Sequence, residues 1–205
     1  MRKTILLLTT LLFGTACTNG TPNIENSRVV AEKNSEMMGL KSALTNYTDA
    51  TINNDIDTLI TFVYPKVFTL LSKEKMIAML KQMYASDKAP KITAIEHTNF
   101  SPIESYKGGS FSIVTSFMSM ELSSPAVDNP KLEDMMCEML ERQMGKDAEV
   151  RLDKDKHVFF VKKKSKVIGI KEGKEGWKFI GYAQAKKYTA RDIIPKAVSK
   201  KINSL

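Results

Sequence analysis

The 205-residue chain predicts an α+β fold, with N-terminal helices packed on a curved, mostly antiparallel sheet, one inserted helix and a short C-terminal helix. Three observations carry that expectation. Residues 36–83 repeat their apolar side chains at three- and four-residue spacing, whereas residues 91–182 turn to two-residue alternation. The alternation is interrupted once, at residues 129–145, by a second helical pattern.

The chain opens with Arg2 and Lys3, an apolar run over residues 5–13, and Gly14-Thr15-Ala16 before Cys17. This order is that of a secretory signal, too short for a stable membrane span. Thr15 and Ala16 fit the pair that precedes a lipidated cysteine, with Gly14 where leucine is usual. Gly14 and Ala16 also satisfy ordinary signal peptidase. A free thiol kept at a mature N-terminus in an oxidising compartment is unusual, which favours lipid on Cys17. The expected division is a signal peptide over 1–16, a polar tether over 17–35 and one domain over 36–205. The expected location is the bacterial cell envelope, periplasmic or cell-surface, at the outer membrane through the N-terminal lipid.

Within the domain, Met37, Leu40, Ala43, Leu44, Tyr47 and Ala50 give residues 36–52 an amphipathic helical pattern. Asn54 or Asp55 can cap a short second helix carrying Ile56, Leu59, Ile60 and Val63, which Pro65 ends. Ser72 caps a third, with Met76, Ile77, Met79, Leu80 and Met83 as its expected buried stripe. Strands follow at 92–100 and 111–122, around a turn at Lys107-Gly108-Gly109. On the longer strand Phe111, Ile113 and Phe117 point one way and Val114, Met118, Met120 and Leu122 the other. An apolar pattern on both faces implies cover by helices on one side and by a pocket or a partner on the other. Asn129-Pro130 opens a methionine-rich helix closing at Gly145. Strands at 148–152, 158–161, 165–170 and 176–182 come next, with a last helix opened by Pro195.

Cys137 has only Cys17 for a disulfide partner, so a hydrophobic core must supply the stability. Removing residues 1–16 lowers the net charge from +8 to +6. Residues 17–145 hold 12 basic against 16 acidic side chains, whereas residues 146–205 hold 17 against 7. That polarity either steers the domain to an anionic surface or ligand, or reflects lysine stems covering a strand face. No nucleic-acid partner is expected, since the compartment of an exported domain is wrong for one and the basic residues are not interleaved in sequence with an aromatic stacking motif.

Residues 50–80, with Asn54-Asp55-Ile56-Asp57, Phe62-Val63-Tyr64-Pro65 and Ser72-Lys73-Glu74, resemble the opening of nuclear-transport-factor-2-like (cystatin-like superfamily) domains of uncharacterised Bacteroidetes lipoproteins. Trp177-Lys178-Phe179-Ile180 followed by Ile194-Pro195 is similar to their close. The resemblance implies a cone of helices wrapped by a bent sheet around an apolar cavity, and it implies no particular activity. The helix at 129–145 departs from the compact pattern of that family.

Tyr64, Phe68, Tyr84, Phe111, Phe117, Trp177 and Phe179 could line such a cavity or simply fill a core. Glu96 and His97 are the acid/base candidates, but as strand neighbours they face opposite sides. The two histidines stand far apart with one thiol besides Cys17, so no metal-ligand spacing exists; no phosphate loop or cofactor motif occurs either. The expected function is therefore a non-catalytic binding domain for a small apolar molecule or a protein partner. Its rivals are an isomerase- or dehydratase-type acid/base enzyme on a hydrophobic substrate, and an envelope assembly subunit that dimerises through the outer sheet face and the methionine helix.

Overall fold

The computed structural model describes residues 24–86 and 89–205. The signal segment, Cys17 and the start of the tether lie outside the described residues.

Helix α1 is Ile24–Ile52 and begins well before the predicted residue 36. Residues 24–35, assigned to the tether, hold no Gly or Pro and are helical; those from Val29 to Ser35 are exposed. With no side chain buried from Val29 to Ser35, that stretch carries no apolar period to reveal it. Helix α2 is Ile56–Phe62, and its Asp55 cap accepts from the Thr58 amide at 3.1 Å. A 3-10 turn at Pro65–Thr69 leads to α3, Lys73–Tyr84, capped by Ser72. No α3 residue is buried, and Met79 and Met83 of its expected stripe are exposed.

Six strands form one antiparallel sheet: β1 Lys91–Phe100, β2 Glu104–Tyr106, β3 Gly109–Ser123, β4 Ala148–Asp153, β5 Val158–Glu172 and β6 Lys178–Gly181. The order is β1-β3-β5-β4, with β2 added to β3 and β6 to β5. The strands expected at 158–161 and 165–170 are one. β3 is as long as β5 and pairs it without a break from Gly109↔Glu172 to Ser123↔Val158, carrying the lysines 162–164 through as strand. Tyr182, expected to end the last strand, instead starts α5, Tyr182–Tyr188. Helix α6 is Lys196–Asn203 after Pro195, as its proline predicts.

The pleat sorts β3 and β5 into two faces. Phe111, Ile113, Ile168, Ile170 and Ile180 meet Tyr64, Val67, Ala185, Ile194, Val198 and Ile202 in one core. On the other face, Val114, Trp177 and Phe179 pack against Leu40 and Leu44 of α1 in a second. Gly169 permits that approach, because a Cβ there would stand 2.7 Å from Leu40 Cδ1 and 3.3 Å from Phe179 Cε1. Helix α4, Pro130–Met144, lies on α1's side of the sheet: Met144 Sδ is 3.9 Å from Lys163 Nζ, and Val150 and Leu152 of β4 turn inward. Its apolar residues divide, with Met136, Leu140 and Met144 half-buried and Leu132, Met135 and Met139 exposed.

Candidate functional site

At the β6 end both sheet faces are covered, one by α1 and the other by α5, α6 and the 3-10 turn at Pro65–Thr69. Toward β4 the cover is one-sided. There α1 and α4 take the face bearing Ser116, Phe159 and Val161, all buried. The reverse face carries Ala94 and Glu96 of β1, Phe117, Ser119 and Glu121 of β3, Phe160, Lys162, Lys164 and Lys166 of β5, and Glu149 and Arg151 of β4. None of these is buried. The registers Phe117↔Lys164, Ser119↔Lys162 and Arg151↔Phe160 place basic and aromatic side chains next to one another on this surface.

Long basic stems sit across the rings. Lys162 Nζ lies 5.4 Å from the Phe117 ring centre, Arg151 Cζ 4.8 Å from that of Phe160, and Lys166 Nζ 5.3 Å from that of Tyr182 at the start of α5. Among the described residues, Arg151, Lys162, Lys164 and Lys166 form no ion pair, whereas Glu121 reaches Lys91 at 4.0 Å. A hollow of about 230 Å³ opens between Ser119, Arg151, Phe160 and Lys162. The site can hold an acidic, partly apolar surface; it assembles no nucleophile and base.

Of the seven aromatic candidates, Tyr64 and Phe111 belong to the first core and Trp177 and Phe179 to the second. Phe68 and Tyr84 are half-buried in the helical layer, and Phe117 is on the uncovered sheet face. Trp177 also lines a surface hollow at the edge between α1 and the β5–β6 turn. Glu96 and His97 diverge as the strand geometry requires: Glu96 is exposed and His97 is turned under α1. His97 Nε2 is 2.8 Å from Thr48 Oγ1 and its Nδ1 is 2.7 Å from Ser116 Oγ, so both ring nitrogens are engaged. Burial lowers its pKa and keeps the ring neutral. The imidazole thus ties α1 to the sheet.

Two polar clusters join residues that lie far apart in the sequence. Glu133, 1 % exposed in α4, accepts from His157 Nδ1 at 3.0 Å, and a hydrogen bond from Ser124, then His157, holds its carboxyl below the usual range. His157 has a left-handed backbone at φ 52°, set by the β4–β5 turn. The pair clamps the start of α4 to that turn, 24 residues away in sequence. In the second cluster, Glu172 Oε1 takes Lys66 Nζ at 3.1 Å and the Tyr106 hydroxyl at 3.3 Å. The neighbouring Tyr64 hydroxyl is buried with no hydrogen-bond partner among the described residues. Burial, then the Glu172 charge, raises its pKa. Only the adjacency of Asn129-Pro130 to Glu133 hinted at the first cluster, through the helix start it marks.

Among the described residues no group of three or more His, Cys, Asp or Glu is placed to hold a metal ion, and no helix is long and apolar enough to cross a membrane. Comparison of the chain with protein-family models, curated proteins and solved structures finds no match.

Proposed function

We propose that the protein is an exported, lipid-anchored domain of nuclear-transport-factor-2-like form that binds a protein partner on the uncovered half of its sheet and catalyses no reaction itself. The observation that carries this reading is the one-sided cover of β3, β5 and β4: the face on which Arg151, Lys162, Lys164 and Lys166 stand beside Phe117 and Phe160, with Glu96, Glu121 and Glu149 around them, has no layer upon it among the described residues. Three helices leading into a curved antiparallel sheet support the fold assignment, and the order of residues 1–17 supports export with lipid on Cys17.

A protein partner is favoured over a small apolar ligand because four of the aromatic candidates are packed into the two cores. Acid/base catalysis gains no support from His97, whose nitrogens are taken by Thr48 and Ser116, or from Glu96, which points to the opposite side. A second reading, an assembly subunit, is favoured by Leu132, Met135 and Met139, exposed at helical spacing on α4.

Native mass spectrometry of protein purified from its own host tests the proposal, together with a photoreactive side chain at Phe160 and, as a control, at Met38 of α1. The expected result is a diacylglyceryl mass on Cys17 and a crosslinked protein companion from position 160 alone. A retained small apolar molecule without a companion would support the cavity reading instead. A Cys17→Ala variant that stays membrane-bound would remove the anchor, and a self-complex in the native spectrum with no companion crosslinked from position 160 would support the assembly role instead.

A further inference from the structure

We infer that the partner of this face is an extended acidic protein segment, laid along β5 with acidic side chains at alternate positions. The inference rests on the reading of the uncovered face as a docking surface. Lys162, Lys164 and Lys166 are exposed and occupy successive same-face positions of one strand, about 6.6–6.8 Å apart along it. Any extended chain repeats its own same-face side chains at that interval, so carboxylates two residues apart meet one ammonium each when the two chains run aligned.

The two outer lysines are steadied rather than free to wander. Lys162 lies over Phe117 and Lys166 over Tyr182, which reduces the freedom lost when they pair. None of the three forms an ion pair among the described residues, although nine such pairs occur elsewhere in them. The acidic side chains of this face stand to the sides. Glu149 is across from Lys162, Glu121 is beside Phe160 and within reach of Lys91, and Glu96 is two strands away from Lys164. Lys164 lies just past the end of β4, where its amide donates to the Asp147 carbonyl at 2.8 Å, so Asp147 is its cross-strand neighbour; Lys166 lies beyond that, and α5 beside it ends in Lys186 and Lys187. A positive strip therefore runs along one strand, with Phe117 next to it for an apolar side chain of the segment.

Other occupants fit less well. A second copy presenting the same face would set lysine against lysine. A lipid surface would answer the charge but has no use for the even spacing.

The test uses the whole mature protein, a short peptide alternating Glu and Thr, an isomer of the same composition with its glutamates contiguous, and phosphatidylglycerol vesicles. The alternating peptide is expected to bind roughly tenfold tighter than its isomer, as three exposed ion pairs allow. That preference should vanish in Lys162→Glu/Lys164→Glu/Lys166→Glu and shrink in Lys164→Ser, with Trp177 emission reporting that both variants are folded. Equal binding of the two peptides, binding to vesicles alone, or self-association through this face would overturn the inference. If neither peptide binds while the crosslinker at Phe160 still captures a host protein, the acidic segment is refuted and the docking face stands. Loss of both signals removes both.

Discussion

Replacing His97 by leucine should destabilise the protein far more than removing all three members of its hydrogen-bonded bridge together. His97→Leu alone strands the hydroxyls of Thr48 and Ser116, which are 7 % and 3 % exposed. A buried hydroxyl left without a partner costs about 1–3 kcal/mol, and Thr48 can recover part of this by bonding back to its own helix. The expected loss is about 2–4 kcal/mol. The triple variant Thr48→Val/His97→Leu/Ser116→Ala strands nothing and should lie within about 1 kcal/mol of the native protein. Urea unfolding followed by Trp177, the single tryptophan, measures both. The bridge also has a pH signature. Burial lowers the His97 pKa below its ordinary 6.5, so the unfolded chain binds the extra proton first. Stability from this group is complete above pH 6.5 and is lost as the pH falls from there through the folded-state value. His97→Leu should lack that part of the pH dependence. Equal losses in the single and triple variants, or parallel pH curves for native protein and His97→Leu, would refute the buried neutral bridge.

Three further outcomes are expected. Gly169→Ala should lower stability by about 1–3 kcal/mol in thermal melts, since its Cβ would meet Leu40 at 2.7 Å, while Gly176→Ala, with nothing within 4 Å, should be neutral. Glu133→Gln should flatten acid unfolding below the ordinary carboxylate pKa of 4.5, because a depressed pKa contributes stability that disappears as the pH falls through it; hydrogen exchange of α4 amides against pH would show this. Met135→Lys and Met139→Lys should change stability by less than about 0.5 kcal/mol in urea melts, as both side chains are exposed at 65 % and 50 %.

Local chemistry made much of the architecture readable. Asp55, Ser72 and Asn129 cap the helices their side chains predict, since a cap needs only the next three residues. The opposed directions of Phe117 and Met118, and of Glu96 and His97, follow from the pleat alone. Errors arose where a partner decided the outcome. The lysines at 162–164 interrupt the apolar alternation yet pair with β3 as strand, and Met79 and Met83 follow the helical period yet are exposed. The basic face was foreshadowed only as an excess of charge in residues 146–205, because register across three strands is what gathers Phe117, Arg151 and Lys162.

By itself, the order of residues determined where the capped helices begin and which side chains share a face of a strand, because capping and periodicity act within one or two turns of chain. Tertiary structure decided which faces are covered. It turned His97 into a bridge under α1, paired Glu133 with His157, and left Lys162, Lys164 and Lys166 facing outward. Those outcomes depend on contacts between residues distant along the chain, where the free energy belongs to the pair of surfaces that meet and not to either segment alone.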